Sequence, residues 1–179
     1  MPIQSPIQSP IQSIIQTMWP DILKIQADAY SEIEPESLVV LQSKWQQSPD
    51  CCFVYLENKN DLDDKNDIED KDILGYLLAH AWHSETPPKL YQTLPEDSHG
   101  AILFLHDLAI SKRAAGRGVG SQMVKYLLES ATSSGFQRAL LVSVQDSVPF
   151  WKKHGFVEVM NQQASESYGD DAKVMMRVL

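Results

Sequence analysis

Residues 105–121 join an apolar strand to a glycine-rich turn and the start of a helix. The strand ends as Leu105-His106-Asp107-Leu108-Ala109-Ile110, and the turn is Ala114-Ala115-Gly116-Arg117-Gly118-Val119-Gly120-Ser121. Such a junction directs several backbone N–H groups and the positive end of the helix dipole at one point. Because glycine has no side chain, the backbone can approach a bound group closely. The segment therefore predicts a turn that binds a diphosphate.

Two common diphosphate-binding motifs do not fit this turn. A P-loop requires Gly-Lys-Ser/Thr after four spacer residues, and the chain has no such sequence. The dinucleotide-binding pattern is Gly-x-Gly-x-x-Gly, whereas Gly116, Gly118 and Gly120 follow Gly-x-Gly-x-Gly. A turn that binds no ligand remains an alternative at this point.

The residues on both sides of the turn predict helices alternating with strands. Helices are expected at 20–30, 35–46, 118–134 and 147–154, and strands at 51–56, 73–82, 101–110, 139–144, 156–160 and 174–179. The last two strands are expected to pair as a hairpin. In the third helix, the apolar stripe Met123, Val124, Leu127, Leu128 and Ala131 marks the buried face. This order predicts an α/β (α+β) sandwich with a mixed sheet.

Two segments depart from this alternation. Residues 1–17 contain Pro-Ile-Gln-Ser three times, and prolines at a period of four forbid a helix there. We expect an extended arm over 1–17 and a single domain over 18–179. Residues 57–72 contain eight acidic residues and three lysines, which predicts a long hairpin loop.

Composition excludes several classes of protein. The chain has 179 residues, a formal net charge of −9 and 43% hydrophobic residues, which suits one globular domain. The acidic balance argues against nucleic acid and acidic membranes as partners, and no run approaches the ~20 apolar residues of a membrane-spanning helix. Cys51 and Cys52 are adjacent and cannot form a low-strain disulfide, so a cytoplasmic protein is expected. His80 and His83 would point to opposite faces of a strand, and no metal site is predicted.

The glycine-rich turn resembles the phosphate loop of the GNAT superfamily of acyl-CoA-dependent N-acetyltransferases. That loop has the pattern Gln/Arg-x-x-Gly-x-Gly/Ala. Two registers fit: Arg113-x-x-Gly116-x-Gly118, and Ala115-x-x-Gly118-x-Gly120. We prefer the second because it places the last glycine at the start of the helix, although Ala115 then replaces Gln/Arg. Backbone amides supply most of the binding, so this replacement leaves the predicted interaction intact.

The resemblance covers roughly residues 20–179 and implies a fold and a cofactor. The implied sheet is mixed, mostly antiparallel and splayed at its middle, with helices on both faces. Acetyl-CoA is the implied cofactor, and its pantetheine arm would enter the gap between the splayed strands. The cofactor-binding residues implied by the resemblance are Leu108, Ala109, Ile110, Ala115, Gly116, Arg117, Gly118, Val119, Gly120, Ser121, Gln145, Ser147, Phe150, Trp151 and Lys153.

Two segments are similar to the arylalkylamine (serotonin) N-acetyltransferase branch, which has His-x-Leu-Ala-Val and Val-Pro-Phe-Tyr-x-x-x-Gly-Phe. Here they are residues 106–110 and Val-Pro-Phe-Trp-Lys-Lys-His-Gly-Phe at 148–156. His106 matches a histidine of that motif and is our candidate general base, directly or through water. Asp107 is the second candidate, although regular alternation places it on the opposite strand face unless a bulge rotates it. Trp151 stands where most of the family has a tyrosine general acid, and an indole cannot donate that proton.

The resemblance implies transfer of an acetyl group from acetyl-CoA to a primary amine by direct, sequential attack. A small amine is the expected acceptor, and Trp45, Trp82, Tyr91 and Leu94 are candidates for its pocket. The alternatives are acetylation of a protein N-terminus or lysine, and a non-catalytic acyl-CoA-binding module. The last is suggested by Trp151 and by Phe104, which stands where the branch has its first histidine. A homodimer, common in this family, is a further expectation.

Overall fold

The computed structural model of the chain describes residues 8–59 and 71–179. The helices of these ranges are α1 (Trp19–Ala29), α2 (Leu38–Gln47), α3 (Val119–Ser133) and α4 (Val148–Lys153). The strands are β1 (Ile11–Ser13), β2 (Cys52–Asn58), β3 (Lys71–Trp82), β4 (Ile102–Ile110), β5 (Arg138–Ser143), β6 (Val157–Glu158) and β7 (Lys173–Val178). Each strand from β2 to β7 overlaps its predicted position, and β1 lies in the predicted extended arm.

The seven strands form one sheet in the order β1-β2-β3-β4-β5-β7-β6. Every pair is antiparallel except β4 and β5, which are parallel and joined through α3. The predicted mixed, mostly antiparallel sheet is therefore confirmed, and so is the hairpin formed by β6 and β7.

Helices cover both faces of the sheet, as predicted. On one face, α1 and α2 bury Ile22 and Leu41 against Leu78 of β3. On the other face, α3 and α4 bury the predicted apolar stripe of α3 together with Trp151. Each large apolar side chain that is fully buried contributes about 1.5–3 kcal/mol, so these two layers hold the sheet in place.

The sheet opens between β4 and β5, at its centre. The two strands pair from Ile102 opposite Arg138 to Leu105 opposite Leu141, and the pairing then ends. Both strands continue past that point, β4 to Ile110 and β5 to Ser143. The predicted splay is therefore confirmed, and it leaves a wedge between the carboxyl ends of two adjacent strands.

The third Pro-Ile-Gln-Ser unit supplies β1, which pairs antiparallel with β2 at the edge of the sheet. Ile11 and Ile14 are buried on the sheet, so this part of the repeat packs on the domain. Residues 1–7 lie outside the described residues, and the domain boundary at residue 17 stays a prediction. In the acidic segment, β2 and β3 pair as far as Asn58 and Lys71, and residues 60–70 lie outside the described residues.

Two features are absent from residues 8–59 and 71–179. No helix in these ranges is long and apolar enough to cross a bilayer. The same ranges hold no group of three or more His, Cys, Asp or Glu side chains placed to bind a metal ion.

Candidate active site

A cavity of about 210 Å³ occupies the wedge between β4 and β5. Its floor comes from the ends of these two strands, and its walls come from the α1–α2 loop (residues 30–37), the β3–β4 loop (residues 83–101) and α4. Its lining includes Tyr30, Ile33, Glu34, Pro35, Glu36, Leu90, Leu105, His106, Asp107, Leu108, Val144, Gln145, Ser147, Phe150, Trp151 and Tyr168. The cavity therefore joins five of the predicted cofactor residues to both predicted catalytic residues.

A β-bulge at His106 brings the two catalytic candidates to the same face of β4. Leu78 pairs with Asp107 and Ala79 pairs with Leu105, so His106 is an extra residue without a partner in β3. The bulge interrupts the alternation of side chains, and His106 and Asp107 both point toward α1 and α2. Regular alternation would have placed Asp107 on the opposite face, and the bulge is the alternative that places it beside His106.

His106 forms a buried pair with Glu36 of the α1–α2 loop. The distance from His106 Nε2 to Glu36 Oε1 is 2.5 Å, and their side chains are 1% and 6% exposed. Glu36 Oε2 accepts a hydrogen bond from the backbone N–H of Tyr91 and lies 3.9 Å from Lys44 Nζ. Lys44 is itself fully buried and donates to the carbonyl oxygen of Gln92. Glu36 and Lys44 are members of the candidate site that sequence reasoning missed.

The charge of Glu36 is stabilised by its neighbours. Burial alone would raise its pKa, but the attraction and hydrogen bond of His106, followed by Lys44, lower the pKa to about 2. Burial lowers the pKa of Lys44 to about 8, against the opposing attraction of Glu36. Glu36 is therefore ionised at neutral pH and able to attract a cation.

Asp107 accepts hydrogen bonds from two tyrosines. Tyr30 donates to Oδ1 and Tyr76 donates to Oδ2, both at 2.5 Å. Burial raises the pKa of Asp107, which makes it a stronger base than an exposed carboxylate. With both oxygens occupied by donors, Asp107 is placed to hold the two tyrosines, and Tyr30 in turn lines the cavity.

Hydrogen bonds to the α1–α2 loop, to α2 and to Tyr168 hold the β3–β4 loop over the cavity. Tyr91 Oη donates to the carbonyl oxygen of Glu34, and the backbone N–H of Leu94 donates to Ser43 Oγ. Tyr168 Oη donates to the carbonyl oxygen of Pro88 at 2.5 Å. Since Leu90 and Tyr168 both line the cavity, the loop forms its cover.

The glycine-rich turn lies at the start of α3, as predicted. Gly116 and Gly118 both have φ of 75°, a left-handed conformation that strains other residues. No described heavy atom lies within 4 Å of a Cβ added at either position. Gly118 is the N-cap of α3, and Gly120 lies in its first turn, next to Ile110 and Phe150. Open backbone at a helix N-terminus fits the diphosphate of acetyl-CoA.

Of the remaining predicted cofactor residues, some line the cavity and others lie away from it. Leu108, Gln145, Ser147, Phe150 and Trp151 line the cavity. Ala109 and Val119 bury their side chains in the core, and Arg117 pairs with Glu57 at 2.5 Å on the surface. Ser121 and Lys153 border a separate surface hollow beside α3 and α4. Toward β5, the backbone of β4 beyond Leu105 has no strand partner within the described ranges.

The β5–α4 corner is held by Ser147 and Trp151. The indole Nε1–H of Trp151 donates to Ser147 Oγ at 3.1 Å, and Ser147 Oγ donates to the carbonyl oxygen of Val144. Gln145 and Asp146 adopt φ of 51° and 57° in this corner, an unusual conformation for non-glycine residues. Trp151 therefore orders the corner that borders the cavity.

The aromatic acceptor pocket predicted from Trp45, Trp82, Tyr91 and Leu94 is wrong. Trp45 packs edge-to-face on Trp19, with ring centroids 5.7 Å apart, and Trp82 and Leu94 share a separate core cluster. The cavity is instead lined by Tyr30, Ile33, Pro35, Leu90 and Tyr168. Helical periodicity did not reveal these residues, because four of them lie in loops or turns.

This arrangement defines a fold with a central wedge and an open helix N-terminus beside it. A sequence model of the acetyltransferase (GNAT) family matches residues 19–156 of the chain. The chain therefore belongs to the GNAT acetyltransferase family, which uses acetyl-CoA. No curated protein sequence matches the chain.

Solved structures share this fold at low sequence identity. Ard1 from Thermoplasma volcanium has a TM-score of 0.67 and 17% identity, covering 94% of this chain and 96% of its own. Rv2747 from Mycobacterium tuberculosis, solved with CoA, has a TM-score of 0.64 and 16% identity, covering 94% and 98%. The ribosomal-protein-S18-alanine N-acetyltransferase from Escherichia coli has a TM-score of 0.61 and 14% identity, covering 94% and 92%. At these identities the likeness shows the fold alone.

Proposed function

We propose that this protein is an enzyme that transfers an acetyl group from acetyl-CoA to a small primary amine by direct attack. The observation that carries the proposal is the covered cavity in which the His106–Glu36 pair meets the wedge between β4 and β5. One side of this cavity is bordered by the predicted cofactor residues, and the other side by acidic and apolar groups suited to an amine.

Acetyl-CoA would supply a thioester whose carbonyl carbon is attacked by the acceptor nitrogen, with the CoA thiol as leaving group. Backbone N–H groups from Arg117 to Ser121 would hold its diphosphate, and the open edge of β4 near Leu108 would hold the pantetheine. Trp151 and Ser147 would order the corner beside that arm. Because Trp151 cannot act as a general acid, the departing thiolate would take its proton from water.

The His106–Glu36 pair would bind and deprotonate the acceptor. An alkylammonium ion has a pKa near 10 and must lose a proton before it can attack. Glu36 is ionised and keeps the larger exposed fraction of the pair, so it would attract the ammonium group. Because the ionised Glu36 accepts from His106 Nε2–H, the acceptor's proton would reach His106 at Nδ1, through water rather than by direct contact.

Direct attack is favoured over a covalent acyl-enzyme because neither thiol suits catalysis. Burial raises the pKa of Cys51 to about 11 and raises that of Cys52 as well. A thiol is a poor nucleophile unless it is ionised. Cys51 ends the turn before β2, Cys52 begins β2, and both lie outside the cavity lining, so neither would form the intermediate.

A small acceptor fits a cavity closed by the β3–β4 loop. Ile33, Pro35 and Leu90 offer an apolar wall beside the acids, as the side chain of an aromatic or alkyl amine requires. This is the basis on which we retain the arylalkylamine branch as the proposed subfamily. Acetylation of a protein N-terminus is the second candidate, because one structural neighbour is an S18-alanine N-acetyltransferase. We also propose a cytoplasmic location and a homodimer.

The test is release of CoA thiol from acetyl-CoA across a panel of arylalkylamines, polyamines, amino acids and short peptides. We expect turnover with arylalkylamines and a loss of at least ~100-fold in kcat/KM for His106→Gln. His83→Gln is the matched control, because His83 is exposed at the start of the β3–β4 loop and lies outside the cavity lining.

Each other outcome selects a different function. Turnover with peptides alone would support the second candidate. Tight binding of acetyl-CoA without turnover of any acceptor would support a non-catalytic acyl-CoA-binding module. Full activity in His106→Gln would remove His106 from the mechanism, and absence of acetyl-CoA binding would refute the proposal as a whole.

A further inference from the structure

His80 is a fully buried histidine of β3 whose side chain lies beside that of His106. His80 pairs with Phe104 across the β3–β4 ladder, two residues before His106. The ring centroids of His80 and His106 are 6.3 Å apart, and those of His80 and Phe104 are 5.5 Å apart. The mechanism above assigns no role to His80.

One nitrogen of each imidazole has no hydrogen-bond partner among residues 8–59 and 71–179. These are His80 Nε2 and His106 Nδ1, and both atoms are buried. The other nitrogen of each ring is engaged: His80 Nδ1 lies 3.0 Å from the carbonyl oxygen of Ala81, and His106 Nε2 lies 2.5 Å from Glu36. A buried polar atom without a partner costs free energy, so two such atoms in neighbouring rings indicate a shared partner.

The engaged nitrogens determine what the unpartnered ones can do. His80 Nδ1 must carry the proton to donate to a carbonyl oxygen, which leaves Nε2 as an acceptor. Burial lowers the pKa of His80 to about 3, so this acceptor stays neutral throughout the physiological range. When His106 takes up a proton, its Nδ1 becomes an N–H donor that needs an acceptor.

We propose that one buried water joins His106 Nδ1 to His80 Nε2, and that His80 thereby positions His106 and stabilises its protonated form. A direct N–H···N bond would place the two ring centres roughly 5 Å apart. The observed 6.3 Å is too long for that bond and lies within the roughly 8 Å that one bridging water can span. The water donates to both nitrogens when His106 is neutral. When His106 is protonated, the water accepts from Nδ1–H and donates to His80.

This inference rests on the proposed function for its value in catalysis, because a base must be stable after it takes the acceptor's proton. His80 remains neutral and carries no proton itself. The other titratable groups around His106 are Glu36 from the α1–α2 loop, Lys44 from α2, Tyr30 from α1, Tyr76 from β3 and Asp107 from β4. All five remain in both variants described next, so their influence on His106 is common to the comparison.

The test is an NMR titration of the histidine side chains in the full chain without acetyl-CoA, comparing the wild type with His80→Phe and His80→Gln. Phenylalanine keeps the aromatic packing but removes the acceptor, whereas the glutamine side-chain oxygen restores an acceptor near the position of Nε2. We expect the pH of His106 protonation to fall by roughly one unit in His80→Phe. In His80→Gln it should stay within a few tenths of the wild-type value.

Nitrogen shifts of the wild type provide a test that needs no variant. They should show His80 neutral with the proton on Nδ1 from pH 5 to pH 9, and a water contact at His106 Nδ1. A proton on His80 Nε2, or equal titration of His106 in all three proteins, would overturn the proposal. Since none of these readouts requires turnover, failure of the amine panel and failure of this inference are distinguishable.

The pH profile of kcat/KM then tests the catalytic consequence. In His80→Phe, the part of the kcat/KM profile that rises as the general base loses its proton should shift along the pH axis. The shift should equal, in size and direction, the shift of His106 protonation seen by NMR. A lower rate with an unshifted profile would indicate a packing role for His80 and would contradict the positioning role.

Discussion

Replacing Glu36 by glutamine removes one buried charge and keeps the shape of the side chain. The amide oxygen can still accept from the N–H of Tyr91 or from His106. What is lost is the attraction of the carboxylate for Lys44 and for protonated His106, and Lys44 is left as a buried, uncompensated cation. We therefore expect Glu36→Gln to unfold more readily than the wild type at neutral pH.

The size of the effect follows from the pKa of Glu36. Its pKa is lowered from 4.5 to about 2 in the folded protein, so the folded state favours the ionised form by about 3 kcal/mol. A carboxyl whose folded pKa is depressed contributes this stability above its unfolded pKa and loses it as pH falls through its folded pKa. The wild-type advantage should be about 3 kcal/mol at pH 7 and about 1 kcal/mol at pH 3.

Urea unfolding followed by tryptophan fluorescence measures this difference, at several pH values from 7 to 3. Comparing wild type and variant at each pH cancels the other carboxyl groups, which titrate in both proteins. Glu34→Gln is the matched control, because Glu34 lies in the same loop and is exposed. The control should differ from the wild type by less than about 0.5 kcal/mol at every pH.

The reasoning would be refuted by a wild-type advantage that does not change with pH. Such a constant difference would mean that glutamine disturbs packing rather than charge. A difference that grows as the pH falls would reverse the expected sign, and would mean that Glu36 is protonated more easily in the folded protein than in the unfolded chain.

Two further predictions concern the backbone of the cofactor side. Gly118→Ala should destabilise the fold by about 1 kcal/mol, because φ is 75° there. Gly120→Ala should leave the stability unchanged or slightly higher, and should weaken acetyl-CoA binding. Thermal unfolding and calorimetric titration separate these effects, and equal stability losses in the two variants would contradict the assigned conformations. Gln145→Gly should stabilise the fold by up to about 1 kcal/mol, because φ is 51° at this corner. A loss of stability in urea unfolding would show that the corner is unstrained.

The glycine-rich turn and the apolar strand before it could be interpreted from sequence because both depend on local chemistry. Glycine at 116 and 118 indicates a backbone that other residues adopt only with strain, and the stripe from Met123 to Ala131 indicates one buried helix face. The Val148–Phe156 segment likewise identified a short helix next to the cofactor side. These features led to the family before any contact was known.

The catalytic neighbourhood could not be obtained in this way. Glu36 lies 70 residues from His106 along the chain. Lys44 pairs with Glu36 from the last turn of α2, and no sequence pattern marks this lysine. The bulge at His106 depends on how β3 and β4 pair, which no single strand encodes. The role of His80 is visible only when its ring lies beside that of His106.

The sequence by itself therefore determined the order of helices and strands, the glycine-rich turn before α3 and the family. These depend on periodicity and on the conformations that glycine and proline allow, which act over a few residues. The tertiary structure alone decided the partner of His106, the shared face of His106 and Asp107, and the cover of the cavity. Those features depend on contacts between residues far apart in the chain, where burial and charge act through space.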